Sequence, residues 1–287
     1  MVGTIIKNYN GYYYVEAEQT LYECKLRGKL KGQRQKCLVG DRVEFEPLEA
    51  GHGVIERCLP RISSLRRPAV ANVTQILVVM AAKDPDPNTT LLDKLLASIE
   101  HAGIQAYICI NKSDLDPKTA AAYKAIYEKA GYNVFLVSAK DGTGLEDIRT
   151  ILNGHITALA GPSGVGKSSL LRHIAPHHEF ATGAVSEKIG RGKHTTRHSE
   201  LVPLSRDSFI VDTPGFSVLE FSHLDKSDVI HLFPDIERYR ANCRFHSCLH
   251  RAEPDCAVKT AVEEGAVAES RYETYCAILD EILMKKR

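Results

Sequence analysis

Gly161-Pro162-Ser163-Gly164-Val165-Gly166-Lys167-Ser168-Ser169 constrains the fold of this chain more than any other stretch. Gly161 and Gly166 enclose four residues and run straight into Lys167 and Ser168, which is the spacing of a phosphate-binding loop. Such a loop needs a buried strand before it and a helix after it. Ile156-Thr157-Ala158-Leu159-Ala160 supplies the apolar run, and Ser169-Leu170-Leu171-Arg172-His173-Ile174 reads as a helix start. The glycines let successive backbone N–H groups turn inward on phosphate oxygens, and the helix N-terminus adds partial positive charge. Lys167 then reaches the terminal phosphates, and the Ser168 hydroxyl suits Mg²⁺. The loop alone leaves the nucleotide open, because small-molecule kinases and transport ATPases carry loops of the same form.

From Gln75 onward, apolar runs at Ile76 to Ala81, Ala106 to Ile110 and Val134 to Val137 alternate with helical stretches at Leu91 to Glu100, Lys118 to Ala130 and Leu145 to Leu152. The expectation is a parallel sheet with right-handed crossover helices. Ligands of such sheets bind beyond the carboxyl ends of strands. Those ends carry Asn111-Lys112-Ser113-Asp114 and Ser138-Ala139-Lys140. The Asp114 carboxylate can accept from both N1–H and the 2-amino group of guanine, an arrangement adenine does not offer. Asn111 either meets the N7 side of the base through its NH₂ or braces the phosphate loop. Lys112 can lay its stem along the base, and the Ala139 N–H can serve the guanine O6.

Residues 180 to 199 lack apolar periodicity and contain Gly183, Gly190 and Gly192 together with His194, Thr195 and Thr196. One of the two threonines is expected to complete Mg²⁺ coordination when a γ-phosphate is present. In Phe209-Ile210-Val211-Asp212-Thr213-Pro214-Gly215-Phe216, Asp212 at a strand end can hold Mg²⁺ through water, and Gly215 lets the backbone approach the γ-phosphate. Phe216 stands where many GTPases place the Gln that orients the attacking water. A phenyl ring has no lone pair for that task, so His194 is the catalytic candidate beside Lys167, Thr195 and Thr196.

The first 60 residues alternate with the strand period, and five short strands around Asn10-Gly11 and Gly40-Asp41 turns suggest a small closed barrel of the oligonucleotide-binding kind. Between the third and fourth strands lie Lys25, Arg27, Lys29, Lys31, Arg34 and Lys36 with no acidic residue among them, a candidate RNA-phosphate contact. Tyr9, Tyr12 and Tyr14 are either stacking surfaces for bases or barrel core. Arg61 to Pro68 reads as a linker. A net charge of +1 excludes a strongly basic nucleic-acid binder on the average, so this local patch must carry any such role. No cleavable apolar leader and no run near the roughly 18 apolar residues of a membrane span are present, which sets the expectation of a cytoplasmic protein with no membrane association.

The C-terminal part, from about Ser222, has helical stretches around Asp225 to Leu232, Ile236 to Ala241 and 257 to 287. Three of the eight cysteines, Cys243, Cys248 and Cys256, fall within fourteen residues together with His246 and His250. Three thiolates and an imidazole suit tetrahedral Zn²⁺. This usage fits a reducing compartment and one metal site better than a disulfide framework. An apolar stripe of Ile278, Leu279, Ile282 and Leu283 is expected to pack on this module.

In ordinary GTPases the phosphate loop comes first and the guanine-reading elements last; here Asn111-Asp114 and Ser138-Lys140 precede Gly161-Ser169, and Asp212-Gly215 follow. The chain resembles a circularly permuted GTPase, and with a barrel before it and a Cys/His cluster behind it, it resembles the ribosome-small-subunit-dependent GTPase family along nearly its whole length. The resemblance implies a multidomain chain: an all-β OB-fold RNA-binding barrel over residues 1–66, a circularly permuted α/β G domain over 67–221 and a mostly helical zinc-binding domain over 222–287. It implies GTP or GDP with Mg²⁺ as ligand and one structural Zn²⁺. The family spacing of Cys, four residues, Cys, one residue, His, five residues, Cys assigns the zinc to Cys243, Cys248, His250 and Cys256 and leaves His246 free. It implies as partners the small ribosomal subunit and its rRNA, with late subunit maturation as the process and subunit-stimulated GTP hydrolysis as the activity. A monomer is expected. The competing readings are a GTP-switched RNA-binding module with incidental hydrolysis and a nucleotide kinase. The permuted order also carries the γ-phosphate sensor directly into the C-terminal domain.

Overall fold

The computed structural model describes residues 1–28, 37–66, 68–176, 200–205, 207–212, 221 and 224–285. By compactness the chain divides into one unit of residues 1–76, 145–159 and 167–216 and a second of 77–144, 160–166 and 217–287.

In the first unit, β1 (Val2–Tyr9), β2 (Tyr12–Ala17), β3 (Thr20–Leu26), β4 (Arg42–Pro47) and β5 (His52–Cys58) form a barrel. Asn10 at φ 50° and Gly11 at φ 80° make the tight turn that matches strand twist and fixes the β1–β2 register. The strands run in the order β1-β2-β3-β5-β4, and a β4–β1 pairing closes the sheet, so no long edge is left unpaired. Every second residue points inward: Ile5, Val15, Cys24, Val43, Phe45 and Ile55 are buried. Tyr9, Tyr12 and Tyr14 are not among them; Tyr9 is 51% exposed.

Arg61 to Pro68 is more structured than the linker expected there. Asp41 is fully buried, and a buried carboxylate requires a partner. Arg61 provides it with two short bonds, Nε to Oδ1 at 2.6 Å and Nη2 to Oδ2 at 2.7 Å. Immediately afterwards β6 (Ser64–Arg66) and β7 (Ala69–Ala71) form a hairpin.

The same unit contains α3 (Leu145–Leu152), β11 (Ile156–Ala160), α4 (Lys167–Ile174), β12 (Glu200–Ser205) and β13 (Ser208–Asp212), the strands between β7 and β11 being β8 to β10 of the second unit. β11 pairs parallel with β13. β12 corrects the all-parallel expectation: it runs antiparallel to β13 and on its other edge meets β1 at Lys7↔Glu200, where the two side chains form an ion pair at 3.1 Å. Pro203 obscured this strand in the sequence. The ladder tolerates it through a register shift between Pro203 and Ser205.

The second unit holds β8 (Gln75–Ala81), α1 (Thr89–His101), β9 (Gln105–Asn111), α2 (Pro117–Lys129) and β10 (Asn133–Leu136), with strand order β10-β9-β8. β8 is buried throughout, as a strand covered on both faces must be. Asn88 caps α1 and Asp116 caps α2, accepting from Leu91 N and Thr119 N. Beyond residue 224 come 3-10 turns at Val229–Leu232 and Arg240–Asn242, with α5 (Pro234–Glu237) between them, then α6 (Ala257–Glu263) and α7 (Glu269–Lys285). The two longer helices expected before the cysteines are reduced to single turns because Pro234 cannot continue the preceding turn. Ile278, Leu279 and Ile282 of α7 pack with Phe233, Ile236, Cys248, Cys256 and Val258, and Ala97 of α1 joins this core.

A buried charge cluster ties α7 to α1 and α5. Arg271, 1% exposed, donates Nε and Nη2 to Asp235 at 2.7 and 2.6 Å and Nη1 to Asp93 at 2.9 Å. Tyr127 of α2 also donates to Asp93 at 3.0 Å. Burial pushes the Asp93 carboxyl up to about 6 against the pull of Arg271. Burial likewise opposes the Arg271 charge, but Asp235 and Asp93 outweigh it and hold the guanidinium protonated.

Candidate nucleotide and metal sites

The phosphate loop leaves β11 and turns on three glycines with positive φ, Gly161 at 126°, Gly164 at 83° and Gly166 at 94°. Two of them also lack room for any side chain. A Cβ on Gly161 would strike the carbonyl oxygen of Val79 in β8, and one on Gly166 would strike Asn111 Nδ2. Sequence spacing gave the loop; it gave no sign that these glycines also make room for a strand and for Asn111.

Asn111, at the end of β9 and 1% exposed, uses both ends of its amide inside the protein. Nδ2 donates to Val165 O at 2.8 Å, and Oδ1 accepts from Ala139 N at 3.0 Å. It therefore braces the phosphate loop against the Ser138-Ala139-Lys140 segment. The Ala139 N–H, read from sequence as a donor for guanine O6, is engaged by Asn111 here. Lys112 adopts φ 58° and sends Nζ to Gly164 O at 2.9 Å and to Asp84 O, so its stem spans from the end of β9 to the phosphate loop. Ser113 turns its hydroxyl to Val137 O at 3.1 Å. Asp114 and Lys140 are exposed, whereas Ser138 and Ala139 are buried. The Asp114 side chain is exposed, whereas the polar groups of Asn111, Lys112 and Ser113 before it are engaged within the protein.

After Gly166 the chain continues into α4 at Lys167, one residue earlier than Ser168 and two before the helix start read from sequence. Burial lowers the Lys167 pKa from the usual lysine range. Arg172 donates to Ser169 Oγ at 3.1 Å. Pro162 and Val165 face α1 and β8 across a narrow gap lined by Val79, Ala81, Leu92 and Leu95. His194, Thr195, Thr196, Gly215 and Phe216 lie outside the described residues, as does the side chain of Asp212, whose backbone pairs with Glu200.

Cys243, Cys248, His250 and Cys256 place one ligand atom each within 4.8 Å of the others, and His246 is not in the group. His250 turns Nδ1 toward Cys243 Sγ at 3.4 Å and Cys256 Sγ at 3.5 Å. Three thiols and an imidazole converging in a buried place fit a borderline-soft divalent cation, and zinc above all. Without such a charge, burial pushes the Cys248 thiol up to about 12 and raises that of Cys256.

A clasp not evident in the sequence shapes this loop. Glu253 accepts from Leu249 N at 2.8 Å, Arg251 N at 3.0 Å and Ala252 N at 3.1 Å. Burial raises its pKa, but these amides and its own outweigh that and hold it at about 2. On α7, Tyr272 and Tyr275 donate their hydroxyls to His250 O at 2.7 Å and Leu249 O at 2.9 Å. The loop is thereby held in the shape that places His250 at φ 57° with its ring among the thiols. The signal present in the sequence was Glu-Pro three residues after His250, which reads on its own as a turn.

On the barrel, Lys25 Nζ lies 4.8 Å above the Tyr12 ring. Arg27 is paired with Glu56 at 2.7 Å and Glu46 at 3.4 Å. Lys29, Lys31, Arg34 and Lys36 lie outside the described residues. An open cavity of about 430 Å³ is lined by Ile6, Lys7, Tyr9, Tyr14, Leu21 and Glu200. One cysteine pair departs from the sequence reading: Cys37 and Cys58 are joined as a disulfide. The remaining six cysteines are free thiols. No helix among the described residues is long and apolar enough to cross a membrane.

Two family models match the chain, that of the RsgA N-terminal domain over residues 2–55 and that of the RsgA GTPase over residues 58–222. The small ribosomal subunit biogenesis GTPase RsgA of Moorella thermoacetica is 44% identical over 287 residues, covering 100% of this chain and 99% of the relative. The protein of the same name from Clostridium botulinum is 47% identical over 285 residues, covering 99% and 98%. Among solved structures, YjeQ from Thermotoga maritima superposes with a TM-score of 0.85 at 38% identity over 98% of both chains. YloQ, described as a circularly permuted GTPase, superposes with a TM-score of 0.83 at 37% identity over 100% of this chain and 96% of its own. The phosphate loop following Asn111-Asp114 and Ser138-Lys140 in the chain, the barrel ahead of them and the Cys/His cluster behind them therefore have one source: the chain belongs to the RsgA GTPase family, with the circularly permuted order of that fold.

Proposed function

We propose that this chain binds GTP with Mg²⁺, hydrolyses it to GDP and phosphate, and does so on the small ribosomal subunit during its late maturation. The observation that carries the reading is Asn111, whose amide joins Val165 O of the phosphate loop to Ala139 N of the base-reading segment. Such a brace makes phosphate binding and base binding one event, which a loop serving phosphates alone does not need. In this reading Gly161 to Gly166 surround the phosphates and Lys167 neutralises the terminal ones. Ser168, Asp212 and either Thr195 or Thr196 hold the metal, and Asp114 selects guanine. When bound, Mg²⁺ neutralises charge on the β- and γ-oxygens. Ser169, Pro162, Ser163, Ser113, Ser138 and Lys140 shape the same site, and Gly215 approaches the γ-phosphate.

His194 positions the attacking water in the place of the usual Gln, since Phe216 has no lone pair to offer. Intrinsic hydrolysis is then slow and rises when the subunit sets His194 against the attacking water. Residues 1–66 dock on rRNA through Lys25, Arg27, Lys29, Lys31, Arg34 and Lys36, with tyrosines of the barrel face offering stacking surfaces. Residues 67–221 are the G domain. Residues 222–287 bind one structural Zn²⁺ through Cys243, Cys248, His250 and Cys256. The protein acts as a cytoplasmic monomer.

GTP turnover measured alone and with purified small subunits tests this reading. Stimulation by the subunit, reduced by His194→Ala at unchanged GTP affinity, is the expected result. No stimulation would replace it with the reading of a GTP-switched RNA-binding module, and an unchanged stimulated rate in His194→Ala would remove His194 from the mechanism.

A further inference from the structure

Arg271 of α7 is buried among groups that belong to three other elements, and each of those elements reaches a different part of the proposed nucleotide site. Its Nη1 donates to Asp93 of α1 at 2.9 Å, and the same Asp93 oxygen accepts the Tyr127 hydroxyl of α2 at 3.0 Å. The guanidinium carbon lies 5.8 Å from the centre of the Tyr127 ring and 5.4 Å from that of Tyr132, which stands immediately before β10. A third ring, that of Phe233, is centred 5.2 Å away, and such rings attract a cation over their faces. Nε and Nη2 are taken by Asp235 at 2.7 and 2.6 Å. The planar fork of Arg271 is therefore fixed in direction as well as in position.

Followed away from Arg271, α1 sets Leu92 and Leu95 against Pro162 and Val165 of the phosphate loop, and the turn before it offers Asp84 O to Lys112. α2 starts from its Asp116 cap, two residues after Asp114. Tyr132 leads into β10, which runs parallel to β9 and ends two residues before Ser138. From Tyr127 back to Asp116 the helix spans about 16 Å, so a tilt of about 4° at the Tyr127 end moves the other end by about 1 Å. Hydrogen bonds weaken steeply with such misalignment. Two further bonds hold the same end of α2, Arg238 Nη2 to Lys129 O at 3.1 Å and Lys129 Nζ to Gly265 O at 2.6 Å, both at exposed groups. Of these three anchors, Arg271 is the one that also ties α2 to α1 and to Tyr132.

A buried ion cluster adds little net stability over apolar packing, because the desolvation of its charges offsets their attraction. What this cluster sets is the relative placement of α1, α2 and the start of β10. We infer that Arg271 is a positioning residue for guanine recognition: by clamping Asp93, Tyr127 and Tyr132 it holds the far ends of the elements that present Asp114 and Ser138-Lys140 beside the phosphate loop. The inference rests on the nucleotide reading proposed above, and it makes base selectivity depend on a residue of α7, 157 positions after Asp114. Arg271 touches no nucleotide and acts only through the elements it holds.

The test is the preference for GDP over inosine diphosphate, which lacks the 2-amino group that Asp114 is proposed to bind. Displacement of a fluorescent GDP analogue from the full-length protein by GDP, inosine diphosphate and ADP is measured in wild type, Arg271→Lys and Tyr127→Phe, at a temperature where melts show each to be folded. Ile282→Val is the control, since Ile282 is fully buried in the same module and is no member of the charge cluster. Arg271→Lys is expected to lower the GDP preference about threefold or more, and Tyr127→Phe to shift it in the same direction. Ile282→Val is expected to lower the melting temperature and leave the preference as it is, which separates positioning from plain stability. In Asp114→Asn, adding Arg271→Lys is expected to change the preference no further. An unchanged preference in both Arg271→Lys and Tyr127→Phe, an equal fall in Ile282→Val, or a further change in the Asp114→Asn background would overturn the inference. Wild type that takes ADP as well as GDP would instead strike the guanine reading on which it rests, so the two failures are distinguishable.

Discussion

In the proposed nucleotide site one buried amide, that of Asn111, joins the phosphate loop to the Ser138-Ala139-Lys140 segment. In Asn111→Ala the Val165 carbonyl and the Ala139 N–H both lose their partner in a place where Asn111 itself is 1% exposed. An unsatisfied buried group costs roughly 1–3 kcal/mol, so two cost about 2–6 kcal/mol before water enters the vacated space, and about 2–4 kcal/mol after it. Asn111→Asp is the sharper variant. It keeps the volume and the Ala139 contact but sets a carboxylate oxygen against the Val165 carbonyl, 2.8 Å from where the amide nitrogen now sits. If the loss falls on the ligand-competent arrangement of the loop, about 2 kcal/mol weakens nucleotide binding on the order of thirtyfold. Fluorescent GDP titration, together with thermal melts of the free and GDP-bound protein, separates the terms. The expected pattern is a modest loss of stability in the free protein and a much larger loss of the increment that GDP adds. Equal increments in wild type and Asn111→Asp would refute the brace.

Further outcomes follow from the C-terminal module. Arg271→Met strands two buried carboxylates, Asp93 and Asp235, and is expected to cost about 3–5 kcal/mol in chemical denaturation, whereas Arg244→Ala, at an exposed pair with Asp255, is expected to change little. Glu253→Gln leaves Cys243, Cys248, His250 and Cys256 in place but weakens the clasp around His250, and a chelator competition on zinc-loaded protein is expected to show the proposed zinc held about tenfold or more weakly. The acid limb of stability reports the same carboxylate. Its folded value of about 2 lies below the ordinary 4.5, so its contribution is complete above pH 4.5 and is lost as the pH falls toward 2; Glu253→Gln should flatten that part of the profile.

The sequence made legible what is written in local spacing. The five barrel strands follow from period-2 alternation and the Asn10-Gly11 turn, the phosphate loop follows from motif spacing, and the choice of His250 over His246 beside the three cysteines follows from the family resemblance. What it left hidden depends on partners far along the chain. β12 carries Pro203, which disguises a strand whose place depends on β13 and β1. Glu253 becomes a clasp only because three amides turn toward it, and Tyr272 and Tyr275 only because α7 returns along the metal loop. Arg61 looked like part of a linker until the burial of Asp41, 20 residues earlier, demanded a cation. The Asn-Lys-x-Asp segment was visible, with bracing of the phosphate loop as one of two roles for Asn111, but spacing could not show that Asn111 also accepts from Ala139 N or that Lys112 reaches Gly164 O, leaving Asp114 as the exposed member.

That division of labour gives the most direct test, which is nucleotide selectivity in wild type and Asp114→Asn. Displacement of bound fluorescent GDP by GTP, ATP and xanthosine triphosphate requires neither subunits nor hydrolysis. Wild type is expected to prefer GTP over ATP by at least about a hundredfold, since a site built to pair polar groups of one base leaves them unpaired with another. Asp114→Asn is expected to shift the preference from GTP toward xanthosine triphosphate, because an amide can donate to the oxygen that replaces the 2-amino group. ATP competing as well as GTP in wild type, or Asp114→Asn keeping the original order, would contradict the account.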